Sequence, residues 1–270
     1  MLDKQEFLER LQLAIQQNKI TLPTLPEVAL KVKAAVDRED STAAEVAEII
    51  TTDAAIAARL LQVANSPLYR GRIAIDSVQM AVTRLGVRLV RSLVSSLIMQ
   101  QIFQAKSTVL EERFRALWEE SVHVAALSRV LSYQQSQLDS EQAMLAGLIH
   151  NIGGLPVLTM AENYPELIND ATQLDEIIKF VGPTIGSLIL ESWEFPEALA
   201  KIPGHYNDAD YNGGDSADYV DLVIVARQQI YQLEGGIISL DKLGFEANVN
   251  IVNIEGIEEE VIQVEEILLC

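Results

Sequence analysis

The segment 146–154 contains the residues of this sequence best suited to chemistry. It reads Ala-Gly-Leu-Ile-His-Asn-Ile-Gly-Gly, so His150 stands in an apolar stretch of helical character and is followed directly by Asn151. A histidine followed by an aspartate would present an imidazole and a carboxylate to a metal ion. Asparagine is neutral and a much poorer ligand for hard divalent cations. The pattern therefore indicates either a divergent metal enzyme or a helical scaffold.

A second group of candidate ligands lies thirty residues earlier. Glu120 and His123 are spaced i, i+3, which matches a Glu-x-x-His ligand pair on one helix face. Together with His150 they make an alternative metal-ligand set, whereas His205 precedes a polar loop and has no predicted neighbour in the set. The favoured interpretation is structural: His150 is a packed, hydrogen-bonded residue, and the amide of Asn151 links two helices.

Other catalytic signatures are missing from the sequence. It has no Gly-x-x-x-x-Gly-Lys phosphate loop, no Gly-x-Ser-x-Gly elbow and no His-Glu-x-x-His pair. The single cysteine, Cys270, is the last residue, so it is poorly placed as a nucleophile and allows no intrachain disulfide. We therefore predict a protein with no catalytic residues, no cofactor and no bound metal.

Charge is distributed unevenly along the chain. Residues 1–110 carry 13 Lys/Arg and 11 Asp/Glu, whereas residues 111–270 carry 7 and 28, which together give the net charge of −19. Such an acidic body argues against nucleic-acid binding, because that binding neutralises phosphates. A hydrophobic content of 49% indicates a folded chain. With no signal peptide and no apolar run near the roughly 20 residues that span a bilayer, we expect a cytoplasmic protein without membrane contact.

One basic cluster stands out against this acidity. Arg84, Arg88 and Arg91 are spaced i, i+4, i+7 and are predicted to share one helix face. They form a candidate interaction surface for an acidic partner or a nucleotide; the alternative is a solvated face that pairs with the acidic half of the chain.

Helical periodicity extends through the whole sequence. Phe7, Leu11 and Ile15 predict a first helix within residues 1–19, and Gly86 is expected to separate two helices. Residues 177–189 predict a helix interrupted near Gly182-Pro183, residues 207–218 a flexible polar loop, and residues 248–251 a strand or an extended strap. Predicted helix-capping residues are Ser41 or Thr42 with Glu45, Thr52 or Asp53, Asp76 or Ser77, and Asp139 with Gln142. The fold class predicted is all-α.

The order of these segments resembles the HDOD family, a signalling domain related to the HD-type metal phosphohydrolases. The matching segments are Leu-Pro-Thr-Leu-Pro at 22–26, Leu-Leu-Gln-Val-Ala-Asn-Ser at 60–66, Ser-Val-Gln-Met-Ala-Val-Thr-Arg-Leu-Gly at 77–86, the helix at 114–126, and Gly-Leu-Ile-His-Asn-Ile-Gly at 147–153. The resemblance implies a multi-helical HD-like fold with an N-terminal helical bundle and an HD-like C-terminal half. It places the HDOD domain at residues 20–230 and leaves residues 231–270 as an acidic extension with a terminal helix.

The same resemblance implies that the metal chemistry has been lost. Active HD-type hydrolases hold divalent metals with a first His, an adjacent His-Asp pair and a later Asp. Here Glu120 stands at the first position, His150 and Asn151 form the pair, and Arg227 stands at the last position, where its permanent positive charge repels a cation. Only His150 of these remnant positions keeps the family's residue type.

The sequence therefore predicts a non-catalytic regulatory module of bacterial signal transduction. The expected partner is another signalling protein, and the resemblance adds a link to a cyclic dinucleotide, for which the Arg84, Arg88 and Arg91 surface is the candidate site. The alternative from another functional class is a divergent metal-dependent phosphohydrolase or phosphodiesterase that uses Glu120, His123 and His150.

Overall fold

The protein is built from α-helices throughout the part of the chain described. The computed structural model describes residues 3–24, 26–36, 38, 42–66, 69, 71, 73–103, 109–246, 249–251 and 256–269. No strand occurs within these ranges, so the all-α prediction is confirmed. The helices are α1 (Lys4–Gln16), α2 (Glu27–Val36), α3 (Ala43–Thr51), α4 (Ala54–Ala64), α5 (Val78–Leu85), α6 (Val87–Phe103), α7 (Glu111–Ser132), α8 (Ser140–Ile149), α9 (Gly154–Ala161), α10 (Pro165–Ile168), α11 (Ala171–Ser192), α12 (Glu197–Ala200), α13 (Ile202–His205), α14 (Tyr219–Tyr231), α15 (Ile237–Lys242) and α16 (Ile257–Leu269).

Side-chain caps begin the helices where the sequence places capping residues. The Thr42 hydroxyl accepts from the Glu45 amide at the start of α3, and Asp139 accepts from the Glu141 and Gln142 amides at the start of α8. Where the sequence allowed two residues, the caps are Asp53 for α4 and Ser77 for α5. Each cap satisfies backbone donors of the first turn and is worth about 1 kcal/mol.

The chain divides into two compact units, and the first of them consists of Met1–Thr24 and Phe103–Ile257. Here α7 packs against α8, α9 and α14, while α11 packs against α1, α9 and α13. Glycine permits the closest of these contacts: a Cβ on Gly147 of α8 would collide with the backbone of Ala125 in α7, and one on Gly153 with the Gly182 carbonyl in α11. The first unit is therefore a bundle whose helix backbones approach one another directly.

The second unit consists of Leu25–Ile102 and Glu258–Cys270. In it α3 packs against α2, α4 and α5. Asn65 ends α4, and its side chain donates to the Leu61 and Ile75 carbonyls and accepts from the Ile75 amide. Gly86, at φ +82°, separates α5 from α6. The predicted domain boundaries after residues 19 and 230 stay predictions.

One local prediction, the break in α11, differs from the structure, and of the two alternatives for residues 248–251 the strand is absent from the described part. The helix α11 continues unbroken through Pro183, although proline lacks the N–H that would bond to the carbonyl of Lys179. A residue before proline avoids helical geometry partly because its Cβ meets the proline ring, and Gly182 has no Cβ. The described residues 249–251 form no strand and include a 3₁₀ position at Ile251, while Asn248 lies outside the described residues.

The structure also shows a longer apolar segment than we expected from the sequence. The stretch Ser140–Ala161, with a mean hydropathy of 1.4 over its most apolar window, is long and apolar enough to cross a membrane. It comprises α8, a turn and α9, and 94% of that window is buried inside the protein. Burial of this extent is what a core helix of a folded domain shows.

Candidate functional site

Glu120 and Ser121 are presented by α7, the central helix of the first unit. Leu117, Trp118 and Val122 bury one side of this helix and fix its rotation. Ser121 is consequently fully buried, whereas the side chain of Glu120 keeps 28% of its exposure. The carboxylate thus lies at the margin of the core, where water reaches it only in part.

His150 terminates α8 and is fully buried. Its Nδ1 lies 2.6 Å from the Gly147 carbonyl, which can only accept, so Nδ1 carries the proton and donates. Nε2 then points towards Glu120, with 3.6 Å between Nε2 and Oε1, and it is buried without a hydrogen-bond partner among the described residues. In the neutral imidazole this nitrogen presents a lone pair to the carboxylate.

Asn151 links α8 to α7 through its side-chain amide. Its Nδ2 donates to the Leu117 carbonyl at 3.0 Å, and its Oδ1 accepts from the Ser121 hydroxyl at 2.7 Å. The interhelical link expected of Asn151 is confirmed. Both ends of the amide are therefore occupied by α7, and an aspartate would lose the donor half of this arrangement.

Arg227 of α14 occupies the position beside Glu120. Its Nη2 and Nε donate to Glu120 Oε1 at 3.2 and 3.4 Å, and its Nη1 donates to Asn207 Oδ1 at 2.7 Å. The guanidinium lies over the ring of Tyr206, with Cζ 4.6 Å from the ring centroid, and the same ring contacts His150 edge-on at 4.9 Å between centroids. Arg227 is thus held by an acid, an amide and an aromatic face.

The electrostatics of this cluster keep Glu120 charged and His150 neutral at pH 7. Burial alone would raise the pKa of Glu120, but the adjacent His150 in its protonated form, together with the charge and hydrogen bonds of Arg227, outweighs it and brings the pKa down to about 2. Burial lowers the pKa of His150, with Arg227 contributing in the same direction, although Glu120 opposes both. The net result at neutral pH is a Glu120–Arg227 ion pair next to an uncharged imidazole.

This donor set does not suit a divalent cation. The free Nε2 of His150 is a good ligand, but Glu120 is committed to Arg227, and the Asn151 amide is committed to α7. The guanidinium carries a permanent charge at the place where a metal would bring its own. Within the described residues no three His, Cys, Asp or Glu side chains are grouped closely enough to hold a metal ion.

The remaining candidate residues from the sequence lie apart from this cluster. His123 is half-buried on α7 and is not grouped with Glu120 and His150 as a ligand set. His205 is exposed at the end of α13, where its ring contacts Tyr211 at 5.2 Å between centroids. The alternative set of Glu120, His123 and His150 is therefore not assembled.

The predicted arginine surface is corrected by the break at Gly86. Arg84 belongs to α5 and Arg91 to α6, so the i, i+4, i+7 spacing does not place them on one helix. Arg84 donates through Nη1 to the Ile73 carbonyl at 2.5 Å. The side chain of Arg88 lies outside the described residues. The prediction of one shared helix face is wrong because the positive φ of Gly86 redirects the chain between the first two arginines, whereas the role of these residues as an interaction surface stays a prediction.

Three residues of the cluster were not identified from the sequence: Tyr206, Asn207 and Ser121. Tyr206 and Asn207 directly follow His205, in the segment that the sequence marked only as leading into a polar loop. The sequence carries only a weak signal for Tyr206 and Asn207, because their contacts with Arg227 span 20 residues or more. Only the folded chain reveals them.

Comparisons with known proteins agree with this architecture. The family model of the HDOD domain matches residues 22–208. A protein of Shewanella amazonensis SB2B, proposed to be a metal-dependent phosphohydrolase, is 31% identical with a TM-score of 0.83, over 98% of this chain and 99% of that one. An HDOD domain protein of unknown function from Geobacter sulfurreducens has a TM-score of 0.72 at 21% identity, over 99% of this chain and 100% of that one.

A curated relative is longer than this chain. An uncharacterized protein of Treponema pallidum (strain Nichols) is 23% identical over 226 residues, which is 79% of this chain. The match covers 43% of that relative's length. The matched family model extends over more than half of the sequence and includes the His150 segment. This chain belongs to the HDOD domain family.

Proposed function

We propose that this protein is a non-catalytic regulatory module of bacterial signal transduction that acts by binding another signalling protein. The observation that carries the proposal is the Glu120–Arg227 ion pair, with Arg227 Nη2 at 3.2 Å from Glu120 Oε1. In the HD-type pattern both positions serve a metal ion. Here one position holds Arg227, whose positive charge repels a cation, and the other holds Glu120, whose carboxylate neutralises Arg227.

The geometry around Arg227 supports a purely structural use of the site. The guanidinium is 15% exposed and has partners on three sides, namely Glu120, Asn207 and the Tyr206 ring. Asn151 supports the same interpretation because its amide joins α7 to α8. A polar core satisfied in this way stabilises the bundle and leaves the outer surface of the helices to carry the function.

A second candidate is a divergent metal-dependent phosphohydrolase. One observation favours it: His150 Nε2 is buried without a hydrogen-bond partner among the described residues, 3.6 Å from the Glu120 carboxylate. A cation that displaced Arg227 would find an imidazole and a carboxylate there. The 31% identical Shewanella protein, itself proposed to be such an enzyme, adds weight to this alternative.

Metal content and hydrolysis together separate the two candidates. The protein is purified without chelator, incubated with Mn²⁺, Fe²⁺ or Zn²⁺, and analysed by mass spectrometry for bound metal and with bis(p-nitrophenyl) phosphate for turnover. We expect substoichiometric metal and no hydrolysis, in wild type and His150→Ala alike. Stoichiometric metal together with hydrolysis that is lost in His150→Ala would contradict the regulatory proposal.

A matched variant provides the positive control for these measurements. Glu120→His, Asn151→Asp and Arg227→Asp combined would rebuild the family's ligand set on this backbone around His150. We expect this triple variant to bind more metal than wild type, because the repelling charge is gone and two ligands are gained. Equal metal content in the two proteins would show that Arg227 is not what keeps a cation out.

A cyclic dinucleotide is the small-molecule partner that we propose to test beside a protein partner. Cyclic di-GMP is titrated into the wild-type protein and into the Arg84→Gln variant, and binding is measured by calorimetry. Arg84 remains exposed although it binds the Ile73 carbonyl, so a contact through its charge would be weakened by the substitution. The two variants would bind alike if Arg84 serves only its own loop.

A further inference from the structure

Three aliphatic side chains stand exposed around the Gly235–Gly236 turn. Leu233 is 43% exposed, Ile237 62% and Ile238 37%, although the other side of α15 is anchored by Leu240 and Leu243, which are buried. Single exposed aliphatic residues are ordinary on protein surfaces, but three within six positions concentrate exposed apolar side chains in one short segment, here called the patch. The fold of α15 depends on Leu240 and Leu243, so the exposed isoleucines are available for another role.

This patch is held in place by hydrogen bonds from neighbouring elements. The Gly236 amide donates to the Ala209 carbonyl at 3.0 Å, and Gln228 Nε2 donates to the Gly235 carbonyl at 2.7 Å. The buried Ser239 hydroxyl donates to Asp221 Oδ1 at 2.7 Å. A surface that is already ordered loses little conformational entropy when a partner binds.

Acidic side chains border the same patch. The bond to Ala209 brings its two neighbours, Asp208 and Asp210, beside the turn, and Glu234 lies between Leu233 and the glycines. All three acids are exposed. We call these six residues, Leu233, Ile237, Ile238, Asp208, Asp210 and Glu234, the apolar-acidic surface.

The basic residues of this region are engaged elsewhere. Residues 201–246 contain three Lys or Arg, and each forms an ion pair inside the fold. Lys201 pairs with Asp218 at 2.6 Å, Arg227 with Glu120 at 3.2 Å and Lys242 with Asp221 at 3.5 Å. With eight Asp or Glu against these three, the segment that carries the exposed isoleucines has a negative formal charge.

We propose that the apolar-acidic surface binds an amphipathic helical segment of a partner protein, with aliphatic residues on one face and Lys or Arg at its flanks. The isoleucines and Leu233 supply an apolar contact, and the acids attract and orient the flanking cations. A second copy of this chain is a poorer occupant of this surface, because the same acids would meet one another. The inference rests on the proposed function as a protein-binding module and names the class of partner.

The test uses a fluorescein-labelled fourteen-residue peptide of leucine and lysine with an apolar stripe at helical spacing. Binding to the full chain is followed by fluorescence anisotropy. We expect the double variant Ile237→Ser with Ile238→Ser to bind at least about tenfold more weakly than wild type, because two aliphatic contacts are lost. The matched control, Phe180→Ser with Leu188→Ser, removes exposed apolar residues of the same unit, at 47% and 41% exposure, and should bind like wild type.

A second pair of variants tests the charge component. Asp208→Asn with Asp210→Asn should weaken binding and flatten its dependence on salt, whereas the control Glu166→Gln with Glu197→Gln, two exposed acids elsewhere on the unit, should do neither. Equal losses in test and control variants would overturn the proposal, since binding would then follow net charge alone. Dimerisation of wild type that Ile237→Ser abolishes would overturn it as well, because the occupant would be a second copy.

These outcomes are independent of the metal and hydrolysis measurements, because none of the substituted residues touches Glu120, His150 or Arg227. A failure of peptide binding therefore leaves the non-catalytic assignment standing, and a catalytic activity would leave the peptide result intact.

Discussion

At the scale of single residues, Arg227 neutralises the Glu120 carboxylate as a divalent cation would, but with a charge that is covalently part of the chain. A guanidinium stays protonated at all physiological pH values and forms several directed bonds, here to Glu120 and Asn207. Within the site, the charge of Glu120 is therefore balanced by a side chain of the protein itself.

The ion pair makes Arg227→Ala a strongly destabilising substitution. It leaves the Glu120 carboxylate, which is 28% exposed, without its main counter-charge and removes the guanidinium from the Tyr206 ring. We expect a loss of about 2–3 kcal/mol in the free energy of unfolding. The measurement is urea denaturation followed by the fluorescence of Trp118 and Trp193, the two tryptophans of the chain, which both belong to the first unit.

The surface pair of Arg113 and Asp175 is the control for that measurement. Their side chains are 30% and 61% exposed, so Arg113→Ala should cost less than about 1 kcal/mol. If Arg227→Ala lowers the free energy of unfolding as little as Arg113→Ala does, the guanidinium does not stabilise the site as a bound cation would.

Asn151→Asp tests whether the amide, and not only its shape, is required. The carboxylate would face the Leu117 carbonyl, to which Asn151 Nδ2 now donates at 3.0 Å. Burial and the carbonyl raise the pKa of such an aspartate, so the variant is destabilised at pH 7, by about 2 kcal/mol, and recovers relative to wild type as the acid is protonated at lower pH. Denaturation at pH 7 and pH 5 measures this difference; equal losses at both values would contradict it.

The residues of the cluster that could be predicted from the sequence are those that align with a motif of the family. Glu120, the adjacent pair His150 and Asn151, and Arg227 come from three separate segments, and the family pattern alone predicts that they meet. Tyr206 and Asn207 were not predicted, because no spacing rule connects them to Arg227 across 20 residues. Charge substitutions can thus be recognised from a sequence, while the aromatic and amide groups that hold the new charge depend on the folded chain.

At the scale of elements, the helices of the first unit meet through glycine. The carbonyl of Gly182 and the amide of Gly186 in α11 lie where a Cβ of Gly153 would stand, which allows the turn before α9 to contact a second helix backbone. This contact positions the His150 segment, because only two residues separate His150 from Gly153. The site and the helix crossing therefore depend on the same few residues.

Gly153→Ala should disrupt this crossing. Its methyl group would collide with backbone atoms that cannot rotate away, so we expect a loss of at least about 3 kcal/mol or failure to fold. Gly204→Ala is the control, since its nearest neighbour is the Ser187 hydroxyl at 3.2 Å, the end of a side chain that can move. Thermal unfolding of both variants makes the comparison. A similar melting temperature for the two would mean that α9 and α11 can separate freely.

Helix starts were predictable because a cap is a local interaction, as Thr42, Asp53, Ser77 and Asp139 show. Whether a helix continues past a proline could not be predicted from local sequence in the same way. A proline in α11 predicts a break, yet the packing of a 22-residue helix against α1, α9 and α13 outweighs one missing hydrogen bond. The shared helix face of Arg84, Arg88 and Arg91 was wrong for a different reason, since Gly86, itself predicted to separate two helices, ends α5 between the first two arginines.

At the scale of the whole molecule, the buried site couples stability to pH. The pKa of His150 is lowered from 6.5 by burial, so the unfolded chain binds its proton first. Stability is therefore complete above about pH 6.5 and falls as the pH drops towards the folded pKa, by at most about 1.4 kcal/mol per pH unit for one proton. Glu120, with a pKa of about 2 in place of 4.5, adds a second loss below about pH 4.5.

Two variants separate these contributions in urea denaturation between pH 7 and pH 3. His150→Gln removes the titrating imidazole, so the slope between pH 6.5 and pH 4.5 should flatten. The loss below pH 4.5 should become smaller but persist, because Arg227 alone then lowers the pKa of Glu120. Glu120→Gln should do the reverse: the loss below pH 4.5 disappears, and the upper slope persists because the carboxylate that favoured the charged imidazole is gone. An upper slope in His150→Gln as steep as in wild type would show that other groups control the acid response, and the neutral buried imidazole would no longer explain it.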